Sequence, residues 1–323
     1  MYSSKGEYSF STCWNIKRYP NDGAGMIREI SELGFRYVEL NYNVTTEMLK
    51  TIEPLIEKGE IGVSSVHNTF PHTPDPDYGT DSVLLGFDDE DKRKRAVELL
   101  VGSAEYAHRY GAKAVVVHPG EVPFSYNIDE ELKGIYHEQG KDSPAYQKLW
   151  NEMLERREQL SEHYLQRIQH SLEEVCDITV SRGYDIAFGI ETRSRCYQMP
   201  TLNEAKKVRA RMKGAPVYLW YDIGHGMMMD RMGLYHNAEE ANAMKDDIIG
   251  VHIHETLGLS DHWCPYVHSK DMEYFDRFLD IIQQAPIKVY ELKAACQPDE
   301  IHASHRLLTD KIQQRQASLA KGV

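Results

Sequence analysis

The stretch Val217–Met227, VYLWYDIGHGM, decides how this chain is read. Val217 to Tyr221 is a β-branched and aromatic run with Pro216 before it and Gly224 after it, the pattern of a buried strand. Asp222 and His225 follow at its end, spaced so that a turn after the strand aims both at one point. A carboxylate and an imidazole converging there suit a divalent metal, Zn²⁺ or Mn²⁺. The plain alternative makes Asp222 the cap of the next helix and leaves His225 solvated beside it. What the rest of the chain brings to the same place tells the two apart.

Outward from this strand, short apolar runs alternate with amphipathic ones along the sequence. Strands are expected at 10–15, 36–41, 61–66, 113–117, 185–190, 217–221, 248–253 and 287–290. Helices are expected at 25–33, 46–58, 88–110, 146–183, 202–213, 238–244, 272–283 and 298–320. Two polar stretches, 71–89 and 121–145, read as long loops after the third and fourth strands. Strand–helix alternation implies a parallel sheet, and eight such units imply closure into a (β/α)₈ TIM barrel, an α/β fold. No linker interrupts the alternation, so residues 1–323 read as a single domain.

Composition narrows the function. Fifty acidic residues against 37 basic ones give a net charge of −13. Such a chain repels a polyanion at long range but leaves a small neutral substrate unhindered, which disfavours nucleic acid as a partner. The five cysteines are scattered and free of CxxC spacing, which argues for a reducing cytoplasm and against a thiolate zinc site. No apolar run is long enough to span a bilayer, and the polar start MYSSKGEYS has no signal-peptide core, so a cytoplasmic protein without a membrane partner is expected.

The strand ends carry the chemistry. Catalytic groups of such barrels sit at the C-terminal ends of strands. Here the third strand ends at His67, the fourth at His118, and the fifth at Glu191. The sixth gives Asp222 and His225, the seventh His252 and His254, and the eighth Glu291, with His262 in the loop after strand seven. A single histidine or glutamate after a strand has an ordinary structural explanation. Six consecutive strands ending this way do not, because carboxylates crowded around one mouth repel unless a cation joins them. The nitrogen and oxygen donors suit Mn²⁺ or Zn²⁺ first, with Co²⁺ or Mg²⁺ as further candidates. Trp14, Glu39, Arg193 and Lys293 lie close enough to strand ends to be candidate substrate contacts: an apolar wall from Trp14, an anion partner from Arg193 or Lys293.

The motifs VHNTFP (Val66–Pro71), VVVHPG (Val115–Gly120), GIET (Gly189–Thr192), YDIGH (Tyr221–His225), VHIHE (Val251–Glu255) and YELK (Tyr290–Lys293) together resemble those of the xylose isomerase-like (β/α)₈ superfamily. That superfamily holds sugar isomerases, sugar phosphate isomerases/epimerases, ketose 3-epimerases and endonuclease IV. Its ketose 3-epimerase branch implies one divalent cation on Glu191, Asp222, His252 and Glu291, with His225 touching substrate. It also implies proton abstraction next to a carbonyl, with Glu191 and Glu291 as acid and base. The endonuclease IV branch implies up to three zinc ions and a use for the further histidines. His67, His118, His225, His254 and His262 are therefore candidates for a second metal or for substrate. That branch has an Asp-x-His pair after strand seven, where this chain reads Ser260-Asp261-His262.

Three functions are weighed: a metal-dependent carbohydrate isomerase or epimerase, a multi-zinc phosphoesterase acting on DNA, and a ligand-binding barrel without catalysis. The net charge and the absence of a basic stripe favour the first. Many relatives of this kind are homo-oligomers, and the resemblance carries that expectation too.

Overall fold

The apolar runs pair side by side as β1 (Ser9–Ser11), β2 (Tyr37–Leu40), β3 (Gly62–His67), β4 (Ala114–Val117), β5 (Ala187–Glu191), β6 (Val217–Asp222), β7 (Ile248–Ile253) and β8 (Ile287–Tyr290). All pairings are parallel, and the sheet closes in the order β1-β8-β7-β6-β5-β4-β3-β2. The computed structural model describes residues 7–269 and 271–320. Most of the stretch weighed as a signal peptide, residues 1–6, lies outside them. Among the described residues no helix is long and apolar enough to cross a membrane.

The helices between strands begin where polar side chains cap them. Asp22 accepts from the Gly25 amide at the start of α1 (Gly23–Glu32), and Thr45 accepts from Met48 at the start of α2 (Thr46–Glu57). The long α3 (Glu90–Arg109) and α5 (Pro144–Ser181) start on Asp89 and Ser143. A reciprocal Thr201–Glu204 capping box opens α6 (Leu202–Arg211), and the last described helix spans Pro298–Ala320.

Four elements depart from the sequence pattern. The first strand stops at Ser11, because Asn15 turns back to donate its side-chain amide to Met26 O and Glu29, forcing two 3₁₀ turns. The second polar stretch contains a helix, α4 (Ile128–Gln139), whose Ile128 and Leu132 join Tyr146, Trp150 and Met153 of α5 in a separate apolar cluster. A further helix, α7 (Ile223–Met232), starts directly at Asp222, where a turn was expected. It has no amphipathic stripe because it is buried on nearly all sides: Met227 enters the main core, while Met228, Met229 and Met232 enter the cluster with α4 and α5. The expected helix 272–283 breaks into Met272–Asp276 and Leu279–Gln284.

Alternation along each strand sorts side chains between the barrel axis and the helices. Val115, Val117, Leu219, Tyr221, Val251 and Ile253 join the outer core, while Ala114, Val116, Trp220, Ile287 and Val289 form a separate plug. Trp220 is fully buried, and the two flanking strands make room for it with glycine. A Cβ on Gly189 would stand 2.9 Å from the indole and one on Gly250 would stand 2.3 Å from it. The next inward position on each of these strands is Asp222, Glu191 and His252, so the plug is the floor on which the polar groups rest. Gly250→Ala should overpack this floor and cost about 1–3 kcal/mol in urea unfolding, whereas an unchanged midpoint would show that the indole has room to move.

Candidate metal centre

The strand register brings the acidic ends together. Asp222 pairs with His252 across β6 and β7, Val289 pairs with His252 across β7 and β8, and Glu191 ends β5. One ligand atom from each of Glu191, Asp222, His252 and Glu291 lies within 4.8 Å of the others, and all four residues are buried. His252 Nδ1 stands 2.9 Å from Glu191 Oε1, 3.1 Å from Glu291 Oε2 and 3.5 Å from Asp222 Oδ2. Its Nε2 lies 3.0 and 3.2 Å from the two Glu39 oxygens, and because a carboxylate only accepts, Nε2 carries a proton. Neutral His252 therefore turns a lone pair toward three carboxylates, a cage of acceptors with nothing donated into it.

Protons relieve that conflict in the bare chain. Burial works against charge on His252, but the Glu291, Glu39 and Glu191 carboxylates outweigh it and hold its pKa well above the usual value. Burial, reinforced by Glu191, Glu39 and Asp222 against the pull of His252, pushes Glu291 well above the carboxylate range. A divalent cation removes the need for those protons, and three carboxylates with one imidazole are a donor set that fits Mn²⁺ or Zn²⁺.

Glu39, a candidate substrate contact from its position at a strand end, is placed behind the site and not on its lining. It points inward, opposite to Val38, and is fully buried behind His252, accepting a 2.8 Å hydrogen bond from Ser65 Oγ. It orients the imidazole from the side away from the carboxylate cage, as a carboxylate commonly does for a metal-binding histidine.

Two more donor groups flank this centre: His67 with His118 and Glu191, and His225 with His254 and His262. In the first, His67 Nδ1 donates to Asn68 O at 3.0 Å and His118 Nδ1 faces Thr80 O at 3.1 Å. Their Nε2 atoms are thereby turned onto Glu191 Oε2, at 3.2 and 2.6 Å. Burial, then the Arg193 charge, lowers the His118 pKa to about 3.

In the second group His254 has no nitrogen to spare. Its Nδ1 accepts from the His262 amide at 2.9 Å, and its Nε2 donates to Asp222 at 2.9 Å. It positions Asp222, and a Cβ on Gly224 would lie 2.1 Å from its ring, which is why YDIGH carries a glycine there. Asp222 caps α7, accepting from the His225 amide at 2.7 Å, and also lies in the four-donor group. His225 donates Nδ1–H to Thr192 O at 3.1 Å, which leaves Nε2 as an acceptor. Asp261 Oδ2 stands 3.8 Å from Nε2 of both His225 and His262, so the carboxylate displaced by one position in Ser260-Asp261-His262 still reaches the pair. His262 holds φ of 59°, a costly conformation for a residue with a Cβ, between its bond to His254 and a 2.8 Å bond from the Lys293 amide.

A cavity of about 310 Å³ opens above these groups, lined at its base by His67, His118, Glu191, His225, His262 and Glu291. Arg193 and Lys293 line its walls as expected, joined by Cys13, Lys17, Tyr42 and Asp81. Trp14 does not, contrary to expectation. It is 1% exposed, with Nε1 donating to Cys296 O at 2.9 Å, and it supports the wall from behind. Asp81 gave no signal in the sequence beyond its place in a polar loop, yet it holds Arg193 by a short ion pair and lies 3.5 Å from Arg195. Burial favours its neutral form, but Arg193, His118 and Arg195 outweigh it and hold Asp81 below the ordinary carboxylate range.

A family model described as xylose isomerase-like TIM barrel matches residues 27–311. The chain belongs to that family. No curated protein matches it by sequence. Among solved structures, a D-tagatose 3-epimerase-like protein shares 17% identity at a TM-score of 0.65, over 97% of this chain and 99% of that one. The 3-keto-D-glucoside 4-epimerase of E. coli shares 16% at 0.63, over 94% and 99%. Endonuclease IV of Thermus thermophilus shares 15% at 0.55, over 95% and 99%. At these identities the likeness is one of fold.

The Glu39–His252 pair gives a direct check. In metal-free protein Glu39→Gln removes one of the carboxylates that raise the His252 pKa, so the pKa should fall in an NMR titration of the ring. An unchanged value would mean that Glu39 does not act on the imidazole.

Proposed function

We propose that this protein is a divalent-metal-dependent isomerase or epimerase acting on a carbohydrate by proton transfer next to a carbonyl. One observation carries this: Glu191 and Glu291 each contribute to the four-donor group and both line the cavity, on strands separated by β6 and β7. Two of the similar structures, named as a D-tagatose 3-epimerase-like protein and a 3-keto-D-glucoside 4-epimerase, support the substrate class.

Glu191, Asp222, His252 and Glu291 would hold the ion. When bound, it would supply Lewis acidity at the carbonyl and neighbouring hydroxyl oxygens of the sugar. Glu191 and Glu291 approach a sugar bound over the group from different sides, so one takes the proton from carbon and the other returns it. His225 Nε2, left as an acceptor by the bond to Thr192, receives a substrate hydroxyl. The cavity volume is at the small end for ligand sites, in keeping with a monosaccharide.

A multi-zinc phosphoesterase is the second reading, favoured by the two histidine-rich groups beside the main one. The net charge of −13 and the full use of both His254 nitrogens count against it.

Elemental analysis followed by a ketose panel assayed in Mn²⁺ or Co²⁺ separates the two. C2–C3 epimerisation with one ion per chain is expected, and abasic-site DNA cleavage with two or three zincs would overturn it. Glu191→Gln and Glu291→Gln should each lower turnover by about 10²–10⁴-fold with the fold kept, and activity retained in both would remove them as acid and base. Mn²⁺ at about a hundred times its Kd should stabilise the protein by about 2.7 kcal/mol, lost again on chelation. Glu39→Gln should weaken the ion's affinity about 10–100-fold by calorimetry.

A further inference from the structure

Resting on the proposal that Glu191, Asp222, His252 and Glu291 hold a cation, we infer that the Arg193 guanidinium is a built-in substitute for a second cation and restricts this barrel to one. The donor group His67–His118–Glu191 has the composition of a complete metal site: two imidazoles and a carboxylate, all buried, within 4.8 Å of one another. Asn68 O and Thr80 O engage the Nδ1 sides, so both Nε2 atoms point at Glu191 Oε2. Three acceptors facing one another need positive charge between or beside them.

Arg193 provides it. The side chain is 4% exposed, Nη1 donates to His118 Nε2, and the same nitrogen lies 4.0 Å from Glu191 Oε2. Nη2 is tied to Asp81 Oδ1, which itself accepts from Gln198 Nε2 at 3.1 Å. The guanidinium is thus held from behind by the loop after β3, two residues along the chain from the carboxylate it serves. Arginine suits this task because it keeps its charge when buried and presents donors in a fixed plane. An ion on His118 Nε2 would have to displace Nη1 and break the Asp81 latch. Arg193 thereby acts as a residue that sets metal stoichiometry, and with it the choice between single-ion chemistry and multi-ion phosphoester chemistry.

The test counts ions in the full-length protein loaded with Zn²⁺ or with Mn²⁺ and freed of loosely held metal. One ion per chain is expected in the wild type, two in Arg193→Met, and one again in the His118→Ala/Arg193→Met double variant. Mn²⁺-loaded Arg193→Met should also show the spin-coupled electron paramagnetic resonance signal of a close ion pair, which the wild type lacks. Two tightly held ions in the wild type would overturn the role of Arg193 while leaving the main centre intact, and this measurement stands even if the variant fails to fold. A folded Arg193→Met chain that still holds one ion would overturn it as well. No ion in any of the proteins would overturn the single-cation proposal and this inference with it.

Discussion

Three carboxylates and a histidine lone pair turned toward one another in a buried barrel mouth set the terms for everything around them. Glu191, Asp222 and Glu291 surround His252 Nδ1 with no donor among them when His252 is neutral. Like charges brought so close in a dry setting raise each other's free energy steeply, and the fold answers from outside the cage. Glu39 fixes the imidazole from behind, His254 orients Asp222, and the α7 amide of His225 takes one Asp222 oxygen. The acidity that remains is what a bound divalent ion would neutralise.

The support for this arrangement is steric as well as electrostatic. Trp220 fills the axis beneath His252, with ring centroids 5.2 Å apart, and Gly189, Gly250 and Gly224 leave the volume the indole and His254 require. Two register shifts, in the β2–β3 and β6–β7 pairs, sit beside Glu39 and Trp220, the residues that hold the imidazole from behind and below. The floor is therefore made of closely packed strand residues, while loops contribute to the walls.

The histidines divide by what their second nitrogen does. His225 and His262 spend Nδ1 on backbone carbonyls and keep Nε2 for the cavity, whereas His254 spends both nitrogens inside the protein. His252 and His254 are the same residue type two positions apart, the one inside β7 and the other just past its end. Their hydrogen bonds place one in the four-donor group and turn the other onto Asp222.

The alternation of short apolar runs with amphipathic ones was legible in the sequence, and with it the barrel, the strand-end positions of Glu191, Asp222, His252 and Glu291, and their meeting at one mouth. Local pattern suffices there because each apolar run marks its own end, and parallel strands end on the same side of the barrel. Helix α7 was not legible, since a helix buried on nearly all sides has no polar face to mark its period, and α4 was hidden in a polar stretch. Nor could sequence separate Glu39 and Trp14, which stand behind the site, from Lys17, Tyr42 and Asp81, which line it. The contact of Asp81 with Arg193 spans 112 positions, and His252 with Glu39 spans 213. The sequence by itself determined which chemical groups reach the mouth of the barrel. Only the tertiary structure decided which of them face the cavity, because that depends on hydrogen bonds between loops and strands far apart along the chain.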